Sequence, residues 1–284
     1  MKTDVGYLFI FLAALLWALI GVFTRGLIDV GLGAMEIAFW RALFGGGLFL
    51  VHALVARQMW LRSRRDAGTF LAFGLIGVTL FFGAYSQAID TGGISLAVVL
   101  LYTAPVFVVI LARLVLKEPL SAAKIAAVTM VVVGVSLVAF GNPSEGVHVT
   151  TASVLWGLAA GLGYASFYIL GKQILENYAP VTAYAYILPV GAVGLYFFVD
   201  FAPKSTTAWL LIALLSIFST YLAYLLYFIG LKRLEASRAV LVASLEPVIA
   251  ASLAALIFGE RLGWLGLLGA TLVVSASLVA VLRR

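Results

Sequence analysis

Long apolar runs separated by short polar breaks dominate this chain. Ten such runs recur, each of about 20 residues, the length that a helix needs to cross about 30 Å of hydrocarbon. They are too long and too uniformly apolar for barrel strands, and only helices and closed barrels satisfy backbone polar groups inside lipid. The pattern therefore predicts an all-α integral membrane protein with ten transmembrane helices. The predicted spans are residues 5–24, 34–56, 67–89, 95–116, 121–140, 151–171, 179–199, 206–230, 238–258 and 263–282.

Composition agrees with this assignment. Hydrophobic residues make up 64% of the chain and charged residues 11%, whereas a soluble domain is roughly half apolar. The mean hydropathy is +1.15. The first apolar run follows Lys2 and lacks a small-residue cleavage site, so we expect it to be retained and not removed as a signal peptide.

The second half of the chain echoes the first. Residues 95–120 match residues 237–262 at a constant offset of 142 residues. The matched pairs include Tyr85 with Tyr227, Ser95 with Ser237, Pro105 with Pro247, Glu118 with Glu260 and Thr129 with Thr271. The echo predicts a tandem repeat, with a first five-helix unit at residues 1–141, a linker at 142–150 and a second five-helix unit at 151–284.

Basic residues are distributed unequally over the two sides of the predicted bundle. An even number of spans places both termini on one side, and the opposite side carries only Arg25, Lys204 and Arg261. Because lysine and arginine accumulate in cytoplasmic loops, both termini are predicted to be cytoplasmic, in the cell (inner) membrane, and the linker external. The net charge of +6 is then a topology signal and does not indicate a nucleic-acid partner. The residues on the terminus side are Lys2, Arg57, Arg62, Arg64, Arg65, Lys117, Lys124, Lys172, Lys232, Arg233, Arg238, Arg283 and Arg284.

Five spans per unit give the two units opposite orientations. An odd number of spans means that the second unit enters the membrane from the other side, so Glu118 falls at a cytoplasmic turn and its echo Glu260 at an external turn. Inverted repeats are typical of secondary transporters, in which two similar halves open a shared site alternately to either side. The fold expected here is two inverted five-helix repeats around a central cavity.

At this point the residues resemble a known family. The doubled ten-helix pattern, the prolines Pro105 and Pro247, the Lys117-Glu118 and Gly259-Glu260 turns and Trp17 in the first span resemble the EamA type of the drug/metabolite transporter superfamily. The resemblance covers essentially the whole chain. It implies an exporter of small metabolites with a cavity lined by spans one, three, four, six, eight and nine. Among its branches, the chain resembles most the exporters of amino acids, including aromatic ones.

Aromatic residues are frequent in the spans that the resemblance assigns to the cavity. A mid-membrane tyrosine that faced lipid would bury an unpaired hydroxyl, so we expect these residues to face protein or water. Together they fit a pocket for amphipathic or aromatic solutes. Plain helix packing, with hydroxyls bonded across the bundle, is an equal alternative for each. The expected substrate-binding members are Trp17, Tyr85, Tyr102, Tyr164, Tyr168, Tyr224 and Tyr227, and the same aromatic set includes Trp156 and Tyr221. Residues expected to be interfacial belt or anchor residues are Tyr7, Trp60, Tyr178 and Trp209.

Charged residues inside the spans are candidates for function. Glu246 lies near the middle of the ninth span, and its echo is Ala104, so the repeat does not need a carboxylate there to fold. It is predicted to bind substrate, as a proton-coupling or amine-binding carboxylate; a carboxyl group hydrogen-bonded to a neighbouring helix is the alternative. Arg41 is interpreted as a structural charge pair with Glu36, and Arg113 as a snorkelling side chain.

Pro105 and Pro247 lie at equivalent depth in the two units. Each removes one helix hydrogen bond, which leaves a free carbonyl and a bend that is suitable for gating, although a kink tolerated by packing is an equal alternative.

Several classes of function lack their motifs in this sequence. The chain has no phosphate-binding loop, no cysteine, only two histidines and no hydrolase or metalloprotease motif, so neither an ATP-driven pump nor an enzyme is expected. No cofactor and no metal site are predicted. The expected partners are a small-molecule substrate and the lipid bilayer, and whether the chain works as a monomer is left open. The predicted function is secondary transport by alternating access, with a passive channel or facilitator as the alternative and a membrane enzyme as the least supported one.

Overall fold

The computed structural model describes residues 2–140, 148–259 and 263–282. Within these ranges all regular secondary structure is helical. The helices of the first half are α1 (Lys2–Asp29), α2 (Ala34–Val55), α3 (Arg64–Phe73), α4 (Phe81–Gly92), α5 (Ile94–Leu101), α6 (Ala104–Val115) and α7 (Ala122–Phe140). Those of the second half are α8 (Thr151–Leu175), α9 (Pro180–Tyr196), α10 (Thr206–Leu214), α11 (Ala223–Leu231), α12 (Ala236–Ala243), α13 (Glu246–Phe258) and α14 (Trp264–Leu282).

The helical segments of the described ranges confirm a multi-pass membrane protein. Nine of them are long and apolar enough to cross a membrane, several being built from two consecutive helices. The predicted seventh span is the shorter α9, which has 17 residues. It begins at Pro180, whose fixed φ and missing N–H suit the first turn of a helix. The predicted turn residue Glu260 and most of the predicted linker lie outside the described residues.

Two spans contain a π-helical segment at matching positions. Gly74–Leu80 joins α3 to α4 in the third span, and Leu215–Leu222 joins α10 to α11 in the eighth. The two segments end 142 residues apart, at the offset of the sequence echo. A π-helical turn widens the helix and frees a backbone group, and such turns are common at functional sites.

Two further spans are interrupted before a proline. The fourth span breaks between α5 and α6, and the ninth between α12 and α13, again at matching positions. Pro105 and Pro247 stand in the first turn of α6 and α13. There a proline loses no intrahelical hydrogen bond. Each span is thus interrupted for two residues, 102–103 and 244–245, and the proline lies at the start of the following helical segment.

Helix α2 packs against α9 in antiparallel orientation. Phe39 near the start of α2 contacts Tyr196 at the end of α9, with ring centroids 6.1 Å apart. Phe49, ten residues further along α2, stacks on Tyr184 near the start of α9 at 5.0 Å. These two helices are the second helices of the two predicted units, and this pair runs in opposite directions.

Glycines allow the last helices of the two halves to approach closely. A Cβ atom added at Gly134 of α7 would lie 2.7 Å from the carbonyl oxygen of Gly269 in α14 and 2.8 Å from Val273. Such small-residue contacts are the usual means of helix association in membranes. The α7 and α14 pair thus depends on the absence of side chains at this crossing.

We expect Gly134→Ala to destabilise the protein, because the new methyl group would meet backbone atoms that cannot move aside. A loss of about 1–3 kcal/mol is expected for such overpacking. The measurement is SDS-induced unfolding of the detergent-solubilised protein. Gly47→Ala is the matched control, since a Cβ atom at Gly47 meets nothing within 4 Å. Equal stability of the two variants would contradict the close approach.

Glu118, in the loop after the fourth span, caps the N-terminus of α12. Its carboxylate accepts hydrogen bonds from the backbone N–H of Ala236 at 2.6 Å and of Ser237 at 3.2 Å, and from the Ser237 hydroxyl at 2.5 Å. A carboxylate is favourable at this position because the helix dipole is positive there. The cap joins the two halves of the chain at one end of the bundle.

The surrounding charges reinforce this end of the bundle. Lys124 Nζ lies 3.0 Å from Glu235, and Arg238 Nε lies 2.8 Å from the same carboxylate. Burial by itself would raise the pKa of Glu235, but the hydrogen bonds from Lys124 and Arg238 outweigh it and lower this pKa. The ionised Glu235 therefore stabilises the fold at neutral pH, and its contribution is lost when the pH falls through the lowered pKa.

Glu118→Ala should lower the free energy of unfolding by about 1–3 kcal/mol, because two backbone N–H groups and one hydroxyl lose a charged acceptor. Glu118→Gln should restore part of the loss. Thermal unfolding in detergent measures both variants. Glu176→Ala, an exposed carboxylate near the same end, serves as the control. A Glu118 variant as stable as this control would refute the capping role.

Candidate functional site

The break in the ninth span places a carboxylate in the middle of the bundle. Glu246 is the first residue of α13, where the positive end of the helix dipole favours a negative charge. The Tyr102 hydroxyl interacts with this carboxyl group from the matching break of the fourth span, although it has no well-formed hydrogen bond. Glu246 is surrounded by protein, yet part of its surface stays accessible. This combination indicates an internal crevice beside it.

Five of the predicted aromatic residues form one cluster next to this carboxylate. Trp17 lies at its centre, with ring centroids 5.2 Å from Tyr227, 5.7 Å from Tyr224 and 6.5 Å from Tyr164. Tyr168 packs edge-on against Tyr227 at 5.4 Å, and its hydroxyl donates to that of Tyr164 at 3.2 Å. The cluster joins spans one, six and eight, and its members are almost fully buried.

The two remaining predicted tyrosines lie beside the charged groups. Tyr102 is buried, with 3% of its surface exposed. Tyr85 is enclosed by protein but partly accessible, like Glu246. Its hydroxyl lies within electrostatic reach of both Glu246 and Arg41. The structure thus brings Tyr85, Tyr102 and Glu246 together at the edge of the aromatic cluster.

Arg41 is the residue of this site that sequence reasoning missed. Its guanidinium donates to Thr220 Oγ1 at 3.0 Å, to the Ser219 carbonyl at 3.4 Å and to the Tyr224 hydroxyl at 3.4 Å. It also lies over the Phe82 ring, 5.0 Å from the centroid. Ser219 and Thr220 belong to the π-helical segment of the eighth span. Its charge in the middle of a predicted span could have identified Arg41 as a site residue, but that charge was attributed to an ion pair with Glu36.

The predicted pairing of Arg41 with Glu36 is wrong. Glu36 binds Lys204 at 2.6 Å and also accepts hydrogen bonds from Trp40 Nε1 and the Ala202 N–H. Glu36 and Arg41 are five residues apart on one helix, a spacing that turns them to different faces, whereas three or four residues would align them. The Glu36 cluster ties the start of α2 to the loop before α10.

Several buried polar atoms of the site have no hydrogen-bond partner. An unpaired buried polar group costs about 1–3 kcal/mol, so each needs an explanation such as water, a ligand or a second conformation. Three of them belong to predicted site residues. The unpaired atoms within the described residues include Trp17 Nε1, Tyr102 Oη, Tyr184 Oη, Ser216 Oγ and Tyr227 Oη.

Other aromatic residues lie away from this centre. Trp156 is 39% exposed on the outer surface of the bundle, and Tyr221 binds His52 Nδ1 at 2.7 Å towards one end. Tyr7 and Tyr178, expected as belt or anchor residues, are buried and hydrogen-bonded within the protein. Tyr7 donates to the Ala280 carbonyl, and Tyr178 donates to Asp66 and accepts from the Arg62 N–H.

A cavity of about 520 Å³ opens at the end of the bundle where the loops after spans four, six and eight meet. Lys172 lies on its wall, and its ammonium group donates to the carbonyls of Leu231 and Leu234. Charged residues of both signs line it. Within the described residues no cluster of three or more histidine, aspartate or glutamate side chains could hold a metal ion.

The unpaired hydroxyl of Tyr227 yields a stability prediction. Tyr227→Phe removes a buried group without a partner, so we expect the thermal unfolding midpoint in detergent to stay unchanged or to rise. Tyr168→Phe is the matched control: it breaks the bond to Tyr164 and should cost about 0.5–1.5 kcal/mol. If Tyr227→Phe is the less stable variant, its hydroxyl has a structural partner and is not reserved for a ligand.

The fold and the site together define a helical, multi-pass membrane protein with charged groups at its centre. The EamA-like transporter family matches residues 4–140 and again residues 151–282. The chain belongs to this family.

Relatives of similar length are named as transporters. An uncharacterized transporter of Archaeoglobus fulgidus is 27% identical over 95% of this chain and 94% of its own length. The uncharacterized transporter YxxF of Bacillus subtilis is 25% identical over 93% of this chain and 86% of its own. The uncharacterized inner membrane transporter YicL of Salmonella typhimurium is 22% identical over 99% and 96%. A protein of known crystal structure shares the fold with a TM-score of 0.83 at 19% identity, over 99% of this chain and 96% of its own.

Proposed function

We propose that the protein is a secondary transporter that exports small metabolites, in particular amino acids including aromatic ones, by alternating access. The observation that carries the proposal is the central site, in which an aromatic cluster adjoins one carboxylate and one guanidinium. Aromatic rings supply contact area for a substrate side chain, and the few charged groups orient its polar end.

The pairing of equivalent helices supports two inverted units, 1–141 and 151–284, joined by the linker 142–150. Helices α2 and α9 occupy the same place in the two halves and run antiparallel. The family match, which occurs once in each half, agrees with a duplication. Two inverted halves around one site are the arrangement that allows rocking between inward-open and outward-open states.

The breaks and π-helical segments support movement around the site. A span that is divided into two short helices can change its angle with less disruption of backbone hydrogen bonds than a continuous helix. Pro105 and Pro247 are proposed to set these points of bending. Trp17, Tyr85, Tyr102, Tyr164, Tyr168, Tyr224, Tyr227 and Glu246 are the proposed substrate-binding residues.

The proposed location is the cell (inner) membrane, with both termini in the cytoplasm. The excess of basic residues on the terminus side supports this orientation. The inner-membrane name of the Salmonella typhimurium relative supports the location. The proposed partners are a small-molecule substrate and the lipid bilayer.

The test is counterflow of labelled phenylalanine in proteoliposomes. A carrier should accelerate uptake when unlabelled phenylalanine is loaded on the opposite side, and uptake should saturate. Trp17→Ala should raise the apparent half-saturation constant about tenfold, because the cluster loses its central ring. Glu246→Gln should lower exchange if this carboxylate couples to a proton or an amine.

Two control variants separate the site from general damage. Trp264→Ala removes a tryptophan that is 72% exposed, and Glu176→Gln removes an exposed carboxylate at the end of the bundle. Both should transport like the wild type. Linear, unsaturable uptake without counterflow would instead identify a passive channel, and an absence of amino-acid uptake would refute the substrate class.

A further inference from the structure

We propose that Arg41 is the carboxylate-binding residue of the central site, so that the protein selects substrates that carry a carboxylate group. This inference rests on the proposed function and adds to it a specificity-determining residue outside the spans that the family resemblance assigns to the cavity. Arg41 lies on α2, the second span.

No carboxylate contacts Arg41 directly, although Glu246 lies within its electrostatic reach. Its three hydrogen-bond acceptors are all neutral, and two of them lie 3.4 Å away, at the long end of the usual range. Within the described residues no carboxylate oxygen lies within 4.0 Å of its guanidinium, although cations at the ends of the bundle such as Lys204 and Arg238 have such partners. Arg41 thus keeps capacity to bind an anion.

A cation that contacts no anion is energetically unfavourable at the position of Arg41. A cation in the membrane interior is normally paired or faces a water-filled space. Arg41 keeps part of its surface accessible, as Glu246 and Tyr85 do. The guanidinium fork has the planar geometry that binds carboxylates through two parallel hydrogen bonds. A substrate carboxylate entering the crevice supplies the missing partner.

Comparison of the two halves argues against a purely structural role. Helix α9, which corresponds to α2 in the second half, contains no charged residue along its whole length. The equivalent helix therefore packs in the same fold without a charge. At the offset of 142 residues Glu246 corresponds to Ala104. For both charges of the site, the equivalent place in the other half packs without a charged side chain.

Neighbouring groups complete a receptor for a molecule with a carboxylate and a ring. Tyr224 is uncharged and links Arg41 to the aromatic cluster. Its hydroxyl accepts a hydrogen bond from Arg41, and the centroid of its ring lies 5.7 Å from that of Trp17. A carboxylate bound at Arg41 therefore directs the rest of the substrate towards the aromatic cluster. Glu246, which like Arg41 lies within electrostatic reach of Tyr85, is placed to receive an ammonium group or a proton.

The experiment is competition against labelled phenylalanine counterflow by four compounds with the same ring. Phenylalanine and 3-phenylpropionate carry the carboxylate, whereas phenylalaninamide and 2-phenylethylamine do not. In the wild type the two carboxylates should compete roughly 10- to 100-fold better than the other two, which corresponds to one charge-assisted recognition site. Arg41→Gln should abolish this preference, and Arg41→Lys should retain part of it. Arg113→Gln, an exposed arginine of the fourth span, should keep it fully.

The ratio between compounds distinguishes recognition from folding. A merely structural Arg41 would reduce competition by all four compounds equally, and that result would overturn the proposal. Equal competition by amide and acid in the wild type would also overturn it. If Arg41→Gln does not fold, the preference for carboxylate compounds is compared between the wild type and Arg41→Lys. A preference that is reduced in Arg41→Lys supports the proposal, and an unchanged preference overturns it.

Failure of the proposed function gives a different result. If phenylalanine is not transported, thermal stabilisation of the detergent-solubilised protein is measured with small carboxylates and with their amides. Stabilisation by carboxylates that is lost in Arg41→Gln would retain the carboxylate site and reject only the amino-acid substrates. Equal stabilisation by carboxylates and amides, or none by either, would reject the site itself.

Discussion

The energetic cost of a charge in hydrocarbon is the constraint on which the arrangement of this protein depends. Arg41 and Glu246 lie in the middle of predicted spans, where a charge must face protein, water or a ligand. Each is enclosed by helices, and each keeps accessible surface. The two groups therefore require a polar crevice inside an otherwise apolar bundle. The aromatic cluster forms one wall of this crevice, since rings exclude lipid and still tolerate polar neighbours.

The two halves share a backbone plan but differ in their chemistry. The π-helical segments and the helix breaks recur at the same offset, so the points of weakness belong to the repeat itself. In both halves, a residue at or just before the start of the second helix accepts a backbone hydrogen bond from the loop after the second helix of the other half. Glu36 of α2 accepts from the Ala202 N–H, and Tyr178, just before α9, accepts from the Arg62 N–H. The two central charges, Arg41 and Glu246, each occur in only one of the two halves.

The hydrophobic pattern predicted the spans well because apolar length is a local property that lipid imposes. The cost of a lipid-facing tyrosine hydroxyl correctly predicted that Tyr227 faces the protein interior, where it packs against Trp17. Trp156 was misplaced by the same reasoning, since depth in the membrane does not determine the face of the helix. The partner of Glu36 could not be inferred, because Lys204 is distant in the sequence and lies in a loop. The helix breaks were anticipated only as kinks, because a proline indicates a weak point without fixing its extent.

Helix α12 connects the central site mechanically to the end of the bundle. It has only 8 residues, so it is about 12 Å long at a rise of 1.5 Å per residue. Glu118 holds its first turn, and its last turn leads directly into the break that positions Glu246. A rotation of this short rigid segment must therefore change the capped end and the carboxylate together. In the proposed alternating-access cycle, α12 would therefore couple binding at the centre to opening at the end of the bundle.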